Sequence, residues 1–328
     1  MIRRLITLCV ALSALLSVEV AQAAKTLKVV SFNIVVSNHE TENGWNVRKS
    51  AIAKFLNEEK PDVVGLQEAT YMEIVYLLEQ LPEYSYYGVS RDTGNAGDRG
   101  EYSAILYNKQ TVELLQKGEF WLSPTPEKPS RSWNDEVKTP IEPHPGAMKY
   151  NRICTWAQFR HMASKKEFYH FNTHLEFGYH ANEMLGQTAR EKGVELIVER
   201  MKAMAGEDVA VILSGDMNQM SGNRCFNPLF EWGMKDARIE AKNVLSEENR
   251  NSITWNGFNF NSNSASTFES EDKSKGPGNF FMIDYIFYRG CKAVEYRTIR
   301  DKIYDNEPVV DGKGYMSDHY PIMAQIKL

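Results

Sequence analysis

The sequence predicts an α/β fold, in which buried strands alternate with amphipathic helices. Short runs rich in Val, Ile, Phe and Tyr recur along the chain at the length of strands. Between the first two runs, at 27–34 and 63–66, apolar residues fall at helical spacing: Val47, Ala51, Ile52, Phe55 and Leu56. The 328 residues are 42% hydrophobic and 25% charged, which is the composition of a globular protein with a sizeable core.

The remaining elements are predicted in chain order from the same two patterns. Further helices are expected at 71–81 and about 184–203, where one apolar stripe contains Val194, Ile197, Val198 and Met201. Further strands are expected at 103–107, 155–159, 168–173, 209–213, 283–288 and 322–326. Because the strands on both sides of each loop are needed to fill one fold, residues 24–328 are expected to form a single domain.

Two long segments are predicted to be loops. Residues 123–151 carry six prolines, and residues 251–266 mix Asn and Ser with aromatic side chains. Long loops within a compact domain are more often functional than idle, so substrate selection is expected there. The candidate contacts are Trp121, Trp133, Trp255 and Phe258, with ordinary half-buried packing as the alternative.

The first 23 residues have the features of a secretory signal. Arg3 and Arg4 precede an apolar stretch from 5 to about 18, and Ala21-Gln22-Ala23 is a small-x-small cleavage site. We expect cleavage after Ala23 or Ala24 and export to the periplasm or the medium. A membrane anchor is the alternative, but the stretch is shorter than the roughly 20 residues that a spanning helix needs. After cleavage no span is expected.

Charge and cysteine content bound the function further. The net charge is -5, and loss of the signal removes two arginines and one glutamate, so the mature chain is more acidic still. Proteins that bind long nucleic acid duplexes tightly and nonspecifically usually carry a stripe of basic residues. The acidic net charge gives no support for such binding. Cys9 lies in the signal. The other three lack Cys-x-x-Cys spacing, which favours free thiols or one disulfide over a metal site: Cys154, Cys225 and Cys291.

Six polar clusters lie beside the predicted strands. By itself, a Gly-Asp-x-Asn segment is usually a turn in which side chains bond their own backbone. Together, however, the clusters supply the carboxylate, amide and imidazole groups that phosphoester hydrolysis requires. They are Ser31-Phe32-Asn33, Gly65-Leu66-Gln67-Glu68, Asn172-Thr173-His174-Leu175, Ser214-Gly215-Asp216-Met217-Asn218, Ile283-Asp284-Tyr285-Ile286 and Ser317-Asp318-His319-Tyr320-Pro321.

In order and content these clusters resemble the endonuclease/exonuclease/phosphatase superfamily, which has the deoxyribonuclease I-like fold. The resemblance extends over nearly all of 27–328. The segments 100–104, 152–156 and 167–172 look most like a bacterial branch near the deadenylase and nocturnin side. The resemblance to the superfamily implies a four-layer α/β/β/α sandwich, with two mixed β-sheets flanked by helices.

The resemblance also implies roles for the site residues. Glu68 would be the main ligand of Mg2+, or alternatively Mn2+, and Asn33 and Asp318 would complete the shell directly or through water. Asp216 would align or deprotonate the attacking water. Asn218 would donate its amide to a phosphate oxygen. Whether one or two metal ions bind stays open.

The two histidines of the set would act on the phosphate. His319 would be held by a hydrogen bond that its imidazole N–H donates to Asp284, and either His319 or Asp216 would be the general base. His174 would contact the phosphate or protonate the leaving group. Arg152 would bind a substrate phosphate, with a structural ion pair as the equal alternative.

One departure from the superfamily pattern lies beside the expected site. Related sequences often have Asp and His after the His-Leu pair, whereas this chain continues with Glu176, Phe177 and Gly178. The leaving-group side of the pocket is therefore expected to differ. The metal and base residues are complete.

The resulting prediction is an exported, monomeric, Mg2+-dependent phosphoesterase that cleaves phosphodiesters in nucleic acids or nucleotides. The alternative enzyme is an inositol-phosphate phosphatase or a hydrolase of the sphingomyelinase and phospholipase C type. A binding module that holds a phosphorylated ligand or glycan without turnover is the third candidate. A catalytically inactive member is not expected, because the acid, amide and imidazole set is complete.

Overall fold

The computed structural model describes residues 26–36, 43–133, 150–177, 183–244, 253–258, 282–299 and 315–328. The predicted signal, the centre of the proline-rich loop and most of 251–266 lie outside these residues. Two mixed β-sheets pack face to face and carry helices on their outer surfaces. The predicted four-layer sandwich is therefore confirmed.

Among the described residues, sheet 1 contains seven strands and sheet 2 contains six. The central strands of sheet 1 come from distant parts of the chain. In spatial order it consists of β12 (Asn243–Val244), β14 (Lys292–Thr298), β15 (Ile322–Lys327), β1 (Thr26–Asn33), β2 (Val63–Gln67), β6 (Ile105–Asn108) and β4 (Tyr84–Tyr87). Strand β1 runs parallel to β2 and antiparallel to β15. The last strand in chain order thus lies inside the sheet, between β1 and β14.

Sheet 2 contains six strands, of which β9 and β10 are parallel. Its spatial order is β11 (Lys235–Asp236), β13 (Asp284–Arg289), β10 (Ala210–Asp216), β9 (Glu167–His174), β8 (Ile153–His161) and β7 (Val112–Trp121). Two short strands, β3 (Ala69–Thr70) and β5 (Glu101–Tyr102), form a separate antiparallel ribbon.

Helices form the two outer layers. The helices α1 (Trp45–Glu59) and α2 (Tyr71–Gln80) pack on sheet 1, and α3 (Glu183–Ala205) packs on sheet 2. Helix α2 begins at a capping box, in which the backbone N–H of Thr70 donates to Glu73 Oε2 at 2.7 Å. Short helices follow at Arg224–Phe226 (3-10), α4 (Asn227–Glu231) and α5 (Ala237–Glu240). None of the helices described is long and apolar enough to cross a bilayer.

The layer between the sheets has two chemically different halves. The apolar half is filled by Val29 and Val63 from sheet 1 and by Phe159, Phe168 and Ile212 from sheet 2, with their neighbours. Burial of such side chains supplies the main driving force for folding. This half therefore holds the two sheets together by packing.

The polar half of the same layer is a hydrogen-bonded network made by Gln67, Asn172, Ser214 and His170. Gln67 Nε2 donates to Asn172 Oδ1 at 2.7 Å, and Ser214 Oγ donates to the same oxygen at 3.1 Å. His170 Nε2 lies 2.8 Å from Ser214 Oγ. The network needs Gly65, because a Cβ there would lie 2.3 Å from Ser214 Oγ. It lies beneath the strand ends that carry the predicted site.

Several features differ from the sequence-based expectation. Strands β4, β7 and β14 lie where no strand was predicted, and β8 begins two residues before its predicted start. The described part of the proline-rich segment contains no helix and only the isolated bridge between Arg131 and Asn151. Cys154, Cys225 and Cys291 are free thiols, so the alternative of a disulfide is wrong.

Candidate active site

Strand direction brings the predicted site residues together. Strands β1 and β2 are parallel, as are β9 and β10, so the carboxyl ends of each pair lie at the same edge of the sandwich. Those ends carry Asn33, Glu68, His174 and Asp216. Antiparallel β13 begins at the same edge, with Asp284 directly opposite Asp216.

Asn33 joins two carboxylates at the centre of the site. Its Nδ2 donates to Glu68 Oε1 and to Asp216 Oδ2, both at 3.0 Å. The second oxygen of Glu68 accepts the backbone N–H of Val36 at 3.0 Å. Glu68 has a φ of 58°, a left-handed conformation that is uncommon for a residue with a side chain and often marks functional positions.

A buried arginine fixes the segment that follows Asn33 and the loop that precedes Asp318. Arg48, on α1, donates through Nη1 to the carbonyl oxygens of Ile34 and Met316, both at 2.7 Å. Burial lowers the pKa of Arg48 to about 10, against the raising effect of the nearby carboxylates Glu73, Asp318 and Glu68. Its fixed charge therefore favours a dense group of acids at this edge.

Asp318 is held by neighbours of its own. Its Oδ1 accepts the hydroxyl of Ser317 at 3.2 Å, and its Oδ2 accepts Trp255 Nε1 at 3.3 Å. Burial raises the pKa of Asp318, and the charge of Glu68 adds to that rise. Within the described chain, Asp318 does not belong to either close group of acids and histidines, so its link to the predicted ion is less direct than that of Glu68.

Asp216, Asn218 and His174 form one hydrogen-bonded unit. Asp216 Oδ1 accepts the backbone N–H of Asn218 at 2.9 Å, which is the turn that the Gly-Asp-x-Asn segment predicts. The turn places Asn218 Nδ2 2.9 Å from His174 Nε2 and 3.0 Å from the carbonyl oxygen of Leu175. The same His174 nitrogen lies 3.4 Å from Asp216 Oδ2.

His319 and Asp284 make the predicted hydrogen bond. His319 Nδ1 lies 2.9 Å from Asp284 Oδ2, and His319 Nε2 lies 3.7 Å from Asp216 Oδ2. Burial opposes a charged imidazole, but the carboxylates, Asp284 foremost, outweigh it and hold the pKa of His319 well above its usual value. The carboxylates therefore favour the charged, imidazolium form of His319.

Asp216 and His174 are perturbed in the opposite sense, towards their neutral forms. Burial, followed by the charge of Asp284, raises the pKa of Asp216 to about 7. Burial, followed by the positive charges of Arg152 and Arg91, holds the pKa of His174 well below its usual range. The site thus combines a carboxylate that can exchange a proton near neutrality with a neutral imidazole.

Arg152 makes the ion pair that was the alternative to phosphate binding. Its Nη2 lies 3.3 Å from Glu176 Oε1, and both side chains are buried. A second pair lies close by, because Arg91 Nη2 contacts Glu101 Oε1 at 2.6 Å. Arg91 was not predicted from the sequence. The one motif that could have indicated it is the segment Gly100-Glu101-Tyr102, which contains its partner Glu101.

The four aromatic residues assigned to loops have different surroundings. Trp121 is buried at the end of β7 and donates its indole N–H to the carbonyl oxygen of Arg91 at 2.7 Å, so packing explains it. Trp133 packs against the core under α3. Trp255 holds Asp318, and the ring of Phe258 lies 5.7 Å from the guanidinium of Arg48.

The donor set fits a hard divalent cation. Ligand atoms of Glu68, His174 and Asp216 lie within 4.8 Å of one another, and so do those of Asp216, Asp284 and His319. The Asn33 amide also bridges two carboxylates that an ion would otherwise neutralise. Carboxylate and amide oxygens are the ligands that Mg2+ prefers, so Glu68 and Asn33 would hold it, with Asp318 nearby.

Solved structures with the same fold include two bacterial proteins of moderate sequence similarity. An endonuclease/exonuclease/phosphatase family protein from Bacteroides thetaiotaomicron is 27% identical and has a TM-score of 0.73, covering 92% of this chain and 94% of that one. A mannosyl-6-phosphatase from Bacteroides thetaiotaomicron VPI-5482 has the same identity and TM-score, covering 92% and 100%.

A more distant comparison supports the fold alone. The catalytic domain of human nocturnin, solved with a bound sulfate anion, is 14% identical with a TM-score of 0.60, over 92% of this chain and 94% of that one. No curated protein sequence matches the chain significantly. The model of the Endonuclease/Exonuclease/phosphatase family matches residues 30–319. The chain therefore belongs to this family of metal-dependent phosphoester hydrolases.

Proposed function

We propose that the chain is an exported, Mg2+-dependent phosphoesterase that uses Asp216 as its general base. The observation that carries this proposal is the position of Asp216 Oδ2, which lies 3.0 Å from Asn33 Nδ2, 3.4 Å from His174 Nε2 and 3.7 Å from His319 Nε2. The Asp216 carboxylate thus lies beside Asn33, where the metal is expected, beside His174, where the phosphate is expected, and near the pair of His319 and Asp284. The features of residues 1–23 support export.

A bound Mg2+ would supply charge neutralisation at the phosphoryl oxygens. Asp216 takes the proton of the attacking water, because its pKa of about 7 balances basicity against availability of the ionised form. His319, charged and paired with Asp284, stabilises negative charge that develops on the phosphate.

Asn218 and His174 hold the remaining oxygens of the phosphate. Asn218 presents its amide at the edge of the turn, and His174 is kept neutral because burial, followed by the charges of the neighbouring arginines, lowers its pKa. This favours phosphate contact over protonation of the leaving group for His174. Each group stabilises the same charge, so their removal is expected to affect kcat more than KM.

Small phosphoesters are the substrate class that the described surroundings favour. Arg91, Arg152 and Arg48 are buried and engaged by carboxylates or carbonyl oxygens, rather than arrayed on an exposed surface that would track a polymer. The similarity to a mannosyl-6-phosphatase supports the same choice. Phosphodiesters of nucleic acids, which the sequence motifs favoured, are the second candidate.

The test compares p-nitrophenyl phosphate with bis(p-nitrophenyl) phosphate, in Mg2+, Mn2+ or EDTA, for the mature chain and for Glu68→Gln and His319→Ala. We expect metal-dependent release of nitrophenol that falls at least a hundredfold in both variants. Faster release from the diester would favour the nuclease-like alternative. Release that survives EDTA, or equal rates in wild type and Glu68→Gln, would refute the assigned site. Any metal-dependent turnover would exclude a binding module.

A further inference from the structure

A second polar cluster lies beside the phosphate site and has no role in the chemistry above. Its core is the pair of ion pairs Arg91–Glu101 and Arg152–Glu176, which we call the arginine–glutamate cluster. The rings of Tyr150 and Phe177 lie over it, and we call them the aromatic ledge. Glu176 and Phe177 are the residues where the sequence departs from the superfamily pattern.

The arginine–glutamate cluster is buried but incompletely satisfied. Arg91, Arg152 and Glu176 are each at most 5% exposed. Among the described residues, no hydrogen-bond partner is found for Arg91 Nε, Arg152 Nε, Arg152 Nη1 or Glu176 Oε2. Buried polar atoms without partners are costly and rare, so an incoming ligand group is a natural partner for these donors and this acceptor.

The aromatic ledge gives the cluster an apolar, solvent-facing cover. Tyr150 is 42% exposed and Phe177 is 36% exposed, and their rings lie 6.4 Å apart at an angle of 44°. The guanidinium of Arg91 lies 4.7 Å from the Tyr150 ring centre, and that of Arg152 lies 5.9 Å from the Phe177 ring centre. A ligand can thus contact ring faces and the polar cluster together.

The cluster is close enough to the reacting phosphate to bind the rest of the same substrate. Arg152 precedes β8, and near the start of β8 Cys154 pairs with Thr173, the residue before His174 on β9. Arg152 therefore lies beside the strand end that carries His174. Glu176 and Phe177 follow His174 by only two and three residues. A group attached to a phosphate held by His174 and Asn218 would therefore extend towards the aromatic ledge.

The chemistry of the cluster selects the kind of group it can bind. Two guanidinium groups face two carboxylates, so the cluster has both donors and acceptors and little net charge to attract a second phosphate. Hydroxyl groups donate and accept at once, and therefore match both. The half-exposed rings match the C–H face of a saturated ring. A nucleobase has flat faces that could pack on the rings, but it offers the two carboxylates fewer hydroxyl groups than a sugar ring does.

We propose that the arginine–glutamate cluster and the aromatic ledge bind the ring of a phosphorylated sugar, whose hydroxyls bond to Arg152 and Glu176 while its ring packs on Phe177. This inference rests on the proposed function, because it places the sugar phosphate at the site of Asp216. It makes Arg152 a sugar-binding residue instead of a second phosphate clamp.

The test compares mannose 6-phosphate with cyclohexylmethyl phosphate, which has the same ring size and no ring hydroxyls. We expect wild-type kcat/KM to be at least a hundredfold higher for the sugar ester, because a site built for hydroxyls rejects an analogue that lacks them. In Phe177→Ala and Glu176→Gln this ratio should fall at least tenfold, mainly through KM for the sugar ester. The matched control is Phe230→Ala, which removes a phenylalanine on α4 that is 45% exposed, against 36% for Phe177.

The outcomes separate failure of the sugar site from failure of the proposed function. Hydrolysis of both esters at similar rates, or a ratio that Phe177→Ala and Glu176→Gln leave unchanged, would overturn the sugar site while phosphoester hydrolysis stands. Faster hydrolysis of adenosine 5′-monophosphate than of mannose 6-phosphate would also overturn it. If neither ester is hydrolysed, calorimetric binding of mannose 6-phosphate that Phe177→Ala weakens tenfold would support the sugar site alone, and no binding would reject it.

Discussion

The two halves of the layer between the sheets are formed by the same strands but have different structural roles. In the apolar half, Val29, Phe159 and Ile212 pack without hydrogen bonds and can adjust to small changes in volume. In the polar half, Gln67 and Asn172 accept one arrangement only, because each buried donor needs its acceptor. The apolar half therefore supplies cohesion, and the polar half fixes the register of the strand ends that carry the site.

The largest expected effect is at Asp216, next to the polar half, where a substitution should lower activity without lowering stability. Asp216→Asn should lower kcat about a thousandfold or more, because the amide cannot accept the proton of water. Stability should stay equal or rise, because burial already disfavours the ionised carboxylate. Steady-state rates and thermal unfolding of the same preparation measure both. Loss of stability together with activity would mean that Asp216 is mainly structural.

In the apolar half we expect the reverse: a substitution should lower stability and leave kcat close to that of the wild type. Phe159→Ala removes a fully buried ring and should lower the free energy of unfolding by about 3–5 kcal/mol. The folded fraction should keep a kcat close to wild type, because the polar half holds the strand ends separately. Urea unfolding and rates normalised to folded protein test this. A large fall in normalised kcat would show that the two halves are not independent.

The smallest expected effect is the acid sensitivity of the polar half. Burial lowers the pKa of His170 to about 3 in the folded protein, against about 6.5 when unfolded. The unfolded chain therefore binds the extra proton first, so this contribution is intact above pH 6.5 and is lost as pH falls towards 3. The loss is about 1.4 kcal/mol per pH unit.

Comparison with His170→Gln isolates this contribution. The amide can still bond to Ser214 but does not titrate in this range, so the variant should lose less stability than wild type between pH 7 and pH 5. Urea unfolding at both pH values measures the difference. Parallel pH profiles would show that His170 is not the titrating group.

The same comparison explains what the sequence could predict of the fold. Strands of the sheet interiors, such as β1, β2, β9 and β10, were predicted because nearly all their positions are buried and each contains a short run of Val, Ile, Leu, Phe or Tyr. Strand β7 was missed because it is an edge strand with charged, exposed positions. Strand β14 was missed because a bulge between Ala293 and Glu295 breaks its alternation.

The site residues also divide into those that the sequence could predict and those that it could not. Residues at strand ends, such as Glu68, Asp216 and His319, could be assigned because a motif fixes both their type and their place. Arg91 could not, because it lies in an irregular segment and its meaning depends on Glu101 and Tyr150, which only the fold brings near. The choice of Asp216 as the base likewise needed its burial, which no motif states.

The position of β15 couples the completion of sheet 1 to the assembly of the site. This strand fills the place between β1 and β14, and His319 lies three residues before it begins. If β15 detaches, the other described strands of sheet 1 are divided into two groups, and His319 loses the strand that holds it beside Asp284. Docking of this one strand therefore closes the sheet and brings the imidazole to its carboxylate in a single event.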